Sequence, residues 1–171
     1  MDCGRRGQWL DDGCQGSTGK KVTAAGVQTT SAEGISLIKS FEGLMLTSYY
    51  CSSGVLTIGY GSTGAHVREG MTITEAEAER LLKKDLQRFE DAVNRLIEAE
   101  LTQHEFDAIV SFTFNVGTGA LQDSTFRRRM NAGEDKQRCF AEEFPKWVNG
   151  SGGPLPGLVR RRTCEVQLAA S

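Results

Sequence analysis

Three side chains near the start of the chain could do acid-base chemistry together. Eight residues separate Glu42 from Cys51, and five separate Cys51 from Thr57. Glu42 stands directly before Gly43, on the helical face set by Ile35, Ile38 and Phe41. A carboxyl there loses part of its water, which favours the protonated form that a proton donor needs. Breaking an acetal bond by inversion needs such an acid and a second group that orients or deprotonates a water on the opposite face. Thr57 brings a hydroxyl that can hold a water. Cys51 brings a thiol that acts as base or nucleophile once ionised. Taken singly, two of them have a plainer reading: Glu42 as a surface glutamate at a helix end, and Cys51 as a small buried residue in a hairpin.

The elements around them must supply the meeting. Ser31 is an N-cap for a helix that Gly43 ends. Residues 46–50 and 55–60 are rich in β-branched and aromatic types, with Ser52, Ser53 and Gly54 between them, and read as a hairpin. It folds Cys51 and Thr57 back toward Glu42. Gly59, Gly61 and Gly64 mark bends after it. Beyond residue 73 the pattern is helical throughout. Thr74 with Glu77 is a capping box heading a long helix to about residue 98, which can link two lobes. Thr102 with Glu105 heads the next, which Gly117 and Gly119 stop. Shorter helices follow, from Ser124 through Met130, over about 134–143 up to Pro145, and over about 157–168. A small N-terminal β lobe with a larger helical lobe is α+β architecture, and a cleft between two such lobes suits an extended polymer.

Bulk composition narrows the field. The 171 residues carry 20 basic and 22 acidic side chains, a net charge of −2. That balance gives no global pull toward nucleic acid or an anionic membrane. No apolar run approaches the ~20 residues of a membrane span. Residues 1–30 mix glycine, threonine, glutamine and charge without a period and read as a tail, anchored at most by Trp9 and Leu10; residues 31–171 form the domain. The tail lacks the apolar core of a signal peptide. Five cysteines without a C-x-x-C pair, and two distant histidines, His66 and His104, predict no zinc centre. No other metal or cofactor is expected.

The stretch Ile35–Gly64, ISLIKSFEGL onward to LTIGYGSTG, resembles the active-site segment of the phage lysozymes, glycoside hydrolase family 24. That family has Glu, then Asp or in some members Cys after eight residues, then Thr after five more. The resemblance continues through LTQHEFDAIVSFTFNVG (101–117), Ser124–Gly133 and LPGLVRRR (155–162), and covers roughly residues 31–170. It implies a lysozyme-like fold and hydrolysis of the β-1,4 bond between N-acetylmuramic acid and N-acetylglucosamine. Glu42 would be the acid, Cys51 would replace the second carboxylate, and Thr57 would position the water. Phe114 and Asn115 resemble a cleft-lining pair and Ser124 a saccharide contact; for Phe114 a core role fits equally. The implied partner is the peptidoglycan glycan strand, met by a monomer released from the host cytoplasm toward the periplasm and wall. Many relatives have His where this chain has Ser62, so a contact made by that His is expected to be absent.

Some members with Cys at this position are held silent by a disulfide to an N-terminal cysteine. The resemblance therefore implies a regulatory pairing of Cys3 or Cys14 with Cys51; a Cys3–Cys14 bridge and unbridged thiols stand beside it. Cys139 and Cys164 read as buried and inert. The triplets Arg127–Arg129 and Arg160–Arg162 read either as attraction for muropeptide carboxylates or as a solvated face. Trp147 reads as core. Two other activities stay open: a lytic transglycosylase using Glu42 alone, and a wall-binding module without catalysis.

Overall fold

The computed structural model describes residues 26–51, 53–150 and 152–171. Helix α1, Ala32–Glu42, begins at Ser31, whose hydroxyl accepts from the Gly34 amide, and ends at Gly43 with φ 69°. Three antiparallel strands follow: β1 (Met45–Tyr50), β2 (Leu56–Gly59) and β3 (Ser62–Thr63), in that order across the sheet. Next come α2 (Glu75–Leu96), α3 (Gln103–Val116), α4 (Thr118–Asp123), α5 (Thr125–Asn131) and α6 (Lys136–Glu143). A 3-10 turn at Phe144–Lys146, a two-strand ribbon of β4 (Asn149–Gly150) with β5 (Gly153–Pro154), and α7 (Pro156–Ala169) complete the order. The α+β arrangement expected from the sequence is the one observed: a small sheet near the N-terminus and a larger helical part, with the long α2 between them in sequence.

Local signals set most of these boundaries. Both capping boxes form, Thr74 with Glu77 and Thr102 with Glu105, each satisfying amides that the first turn leaves without partners. α2 turns Leu81, Leu82, Leu86, Phe89 and Val93 inward, and α3 is buried over most of its length. Phe112, Phe126, Phe140 and Phe144 meet as one aromatic cluster, with Phe112 stacked on Phe144 at 4.4 Å between centroids. Trp147 packs edge-on against Phe112 at 5.5 Å, which bears out its reading as core.

Three expectations need correction. Gly119 does not stop a helix: only Gly117 breaks the chain, and Gly119 lies inside α4, a six-residue helix held by the fully buried Leu121. The bends after Gly59 contain a third strand, with Thr63 opposite Thr57 and Ser62 opposite Ile58. The β4–β5 ribbon, around Gly150 and Gly153, was not anticipated.

Two close approaches lock the small sheet and α1 to the helices. A Cβ on Gly34 would lie 2.7 Å from Asp107 Cγ and 2.7 Å from the Thr30 methyl, so α1 and α3 approach as they do only because that position lacks a side chain. Asp107, fully buried on α3, accepts from the Ser31 amide and hydroxyl and from Gln103 Nε2. Gly59, at φ 65°, presents its bare face to Ala78 of α2. Residues 26–30, within the stretch read as a tail, carry no helix or strand. Gln28 nonetheless exchanges hydrogen bonds with Asn94 and donates to the Leu101 carbonyl, and the Thr30 amide donates to Glu90. Trp9, Leu10, Cys3 and Cys14 lie outside the described residues.

Candidate active site

Glu42 is the last residue of α1, with its side chain 20% exposed. The sequence anticipated an acid in an apolar corner. The structure adds a cation: Arg161 Nη1 donates to Glu42 Oε1 at 2.6 Å. Phe41 lies beside this pair, with the guanidinium carbons of Arg160 and Arg161 each 5.5 Å from its ring centre.

Arg161 is almost wholly buried, and its other donors are committed. Nε donates to Glu165 Oε1 at 3.1 Å, and Nη2 donates to the Ser111 carbonyl at 3.1 Å. Glu165 is fully buried. It also accepts from the Ser111 hydroxyl at 2.7 Å and from Arg162 Nη1 at 2.6 Å. Arg162 in turn donates through Nη2 to Asn115 Oδ1 and lies over the Phe112 ring at 5.0 Å. Burial pushes the Glu165 carboxyl above its ordinary range, partly offset by the two guanidiniums, and brings Arg162 down to about 10. With both carboxyls ionised, Glu42 and Glu165 balance Arg161 and Arg162 in formal charge across α1, α3 and α7.

This resolves the second arginine triplet differently from both sequence readings. Arg161 and Arg162 are neither solvated nor open to an anionic ligand; they are interior links, and only Arg160 is exposed. In the first triplet Arg129 is absorbed by Glu134, Glu142 and Glu143. The signal for the cluster was in the sequence. Arg161, Arg162 and Glu165 fall on the stripe of α7 between Leu158 and Leu168, where an apolar residue is the rule.

The hairpin carries the other two candidates. Tyr49 pairs with Thr57 and Tyr50 with Leu56, and Cys51 closes the turn, its amide donating to the Val55 carbonyl at 3.0 Å. Alternation places Tyr49 and Thr57 on one face. Thr57 is fully buried and donates its hydroxyl to the Val55 carbonyl at 2.9 Å, which leaves its oxygen lone pairs as acceptors. Cys51 is 7% exposed. Strand β1 starts three residues after Glu42, with Met45 opposite Gly59, so the base of the hairpin follows directly on the helix end that carries the acid.

The remaining candidates divide. Asn115 joins the charge cluster through Arg162. Phe114 packs edge-on against Phe89 of α2 at 5.1 Å and is nearly buried. Ser124 caps α5: its hydroxyl donates to the Leu121 carbonyl and accepts from the Arg127 amide. Ser62 is buried, and its hydroxyl lies 3.1 Å from Nε2 of His66, so an imidazole reaches this position from four residues further along. Of the two helical cysteines, Cys139 is buried and Cys164 only partly so. Among the described residues no cluster of three or more His, Cys, Asp or Glu could hold a metal ion, and no helix is long and apolar enough to cross a membrane.

The chain was compared with known proteins. It is 45% identical over 137 residues to an endolysin of Bacillus phage B103, an alignment covering 79% of this chain and 51% of that protein. The chain spans about half the length of the Bacillus phage endolysins it matches. Among solved structures, an endolysin from Escherichia coli O157:H7 phage FAHEc1 superposes with a TM-score of 0.75 at 41% identity, covering 84% of this chain and 94% of that one. A point mutant of P22 lysozyme superposes with a TM-score of 0.78 at 37% identity, covering 84% and 99%. The phage lysozyme family model matches residues 39–165, a span that holds Glu42, Cys51, Thr57 and the whole Arg161–Glu165 cluster. The chain belongs to the phage lysozyme family.

Proposed function

We propose that this protein is a muramidase of the endolysin type, hydrolysing the β-1,4 bond between N-acetylmuramic acid and N-acetylglucosamine in peptidoglycan. The observation that carries the reading is the way Glu42 is held. Among the described residues its Oε1 accepts from Arg161 and its Oε2 has no partner. A guanidinium can only donate, so the acidic proton belongs on Oε2, aimed away from Arg161. The fixed Oε1 prevents the carboxyl from rotating as the glycosidic oxygen arrives.

In this reading Oε2 gives its proton to the leaving oxygen while the bond to the sugar carbon breaks. A water held at Thr57 supplies the new oxygen to that carbon from the opposite face, and the proton it gives up passes to solvent, from which Glu42 is reprotonated. Cys51 stands where the second carboxylate of glycoside hydrolase family 24 stands. Asn115 and Phe114 belong to the cleft wall, and Ser124 contacts the saccharide. No cofactor enters the reaction. The enzyme works as a monomer on the glycan strand, after release from the host cytoplasm to the wall. The tail, through Cys3 or Cys14, is a candidate lock on Cys51; mass mapping of the non-reduced protein tests it, and Cys51 found always as a thiol, with activity indifferent to reductant, rules it out.

The test is digestion of purified peptidoglycan by the parent and by E42Q, with mass spectrometry of the products. Reducing ends carrying one added water, absent with E42Q, are expected. Anhydro ends would mean a lytic transglycosylase instead. Equal release by E42Q would take the acid role away from Glu42, and no release by either protein would reduce the chain to a wall-binding module.

A further inference from the structure

We infer that Glu165 is a positioning residue for the proton donor, acting through Arg161. The inference rests on Glu42 being the acid and extends that reading to the interior of α7. Arg161 reaches Glu42 with one nitrogen only, Nη1. The direction of that nitrogen is set by what holds the other two. Nε is held by Glu165 Oε1 and Nη2 by the Ser111 carbonyl, so the planar fork has no freedom to turn. Glu165 is itself fixed, because the Ser111 hydroxyl shares its Oε1 and Arg162 takes its Oε2.

A second argument comes from cost. A fully buried carboxylate is expensive, and an apolar residue at this core position would fill it without that penalty. Without Glu165, two buried guanidiniums would lie beside Glu42 with no interior carboxylate between them. Glu165 offsets one of the two charges. Among the described residues, the charged groups around the Glu42–Arg161 contact are Arg162 and Glu165 from α7, with Arg160 beside Phe41; α3 contributes the neutral Ser111 and Asn115. Glu165 touches no substrate. It fixes the angle of the Arg161 fork and the net field felt at Glu42.

The experiment compares the parent, E165Q, S111A and E42Q by steady-state muropeptide release across pH, with circular dichroism to establish folding. E165Q keeps the size and an acceptor toward Arg161 but removes the charge. The expected result is a kcat about tenfold or more below the parent, with KM within about twofold. A folded E165Q with the parent's kcat overturns the proposal. Should E165Q fail to fold, S111A carries the test. It removes a hydrogen bond from Glu165 without altering charge, and a kcat reduced about threefold or more at unchanged KM supports the positioning role, while a parental kcat overturns it. E42Q separates the two claims. An active E42Q sinks the reading of the acid itself, whereas an inactive E42Q beside a parent-like E165Q sinks only the role of Glu165.

Discussion

Arg161 and Glu42 are 119 positions apart in sequence and meet through a single hydrogen bond of 2.6 Å, which ties the last helix of the chain to the end of the first. An R161A change should therefore act twice. Removing the guanidinium leaves Glu165 facing Arg162 alone and opens space in the interior, costing about 3–5 kcal/mol by the usual penalty for breaking a buried pair. Activity should fall further than the folded fraction explains, by about a hundredfold in kcat, because the proposed acid loses the one hydrogen bond that fixes it among the described residues. R161K, which supplies one donor and no fork, should recover stability better than rate. Denaturant melts beside muropeptide release separate the two effects.

Cys51 offers a chemical test of the second role. C51S removes the ionisable group at nearly constant volume and should be close to inactive. C51D restores a carboxylate and should keep lysing. Turbidity loss of outer-membrane-permeabilised Gram-negative cells reads both. Full activity in C51S would show that the thiol is only a buried filler at the end of β1.

Gly34 should tolerate nothing larger. With an added Cβ 2.7 Å from both Asp107 Cγ and the Thr30 methyl, G34A forces α1 away from α3, and overpacking of this kind costs about 1–3 kcal/mol. Thermal unfolding should show a Tm lowered by several degrees, about 2–4 °C for each kcal/mol in a chain of this size. A Tm equal to the parent's would mean that the two helices are not held at this spacing.

Acid should weaken the fold through surface carboxylates. Glu77 is held below its ordinary 4.5 by the Thr74 backbone amide and the Thr74 hydroxyl. Glu79 is lowered by Lys83 and Lys39, and Glu142 by Arg138 and Arg129. A carboxyl whose folded value is depressed stabilises the fold above its unfolded value and loses that contribution as pH falls through the folded one. Thermal stability is therefore expected to decline from about pH 5 to about pH 3. E77Q should flatten part of that decline, and melts of parent and E77Q across this window check it.

Much of the architecture was readable because its signals are local. The capping pairs Thr74–Glu77 and Thr102–Glu105, the glycine after Glu42 and the β-branched run around Thr57 each act within a few residues. The short α4 was not readable, since a six-residue helix starting beside Gly117 is marginal alone and forms because Leu121 is swallowed by the core. Glu42, the proposed acid, was singled out by its place at a helix end, and the structure puts it there. Its partner was not, because the pairing of Glu42 with Arg161 depends on how α1, α3 and α7 stack. Charge on the inward stripe of α7 could have pointed to a buried network, though not to what it would meet.

The distance along the chain between Glu42 and Arg161 has a consequence for when the acid becomes competent. A polypeptide that has been synthesised only as far as α6 already contains the hairpin, the thiol and the carboxyl, yet nothing orients the last of these. Only when α7 seats its arginines against α3 does the carboxyl acquire a defined posture. Truncation, misdocking or slow closure of that one helix would leave every group of the proposed site in the chain and the proposed activity without its oriented acid.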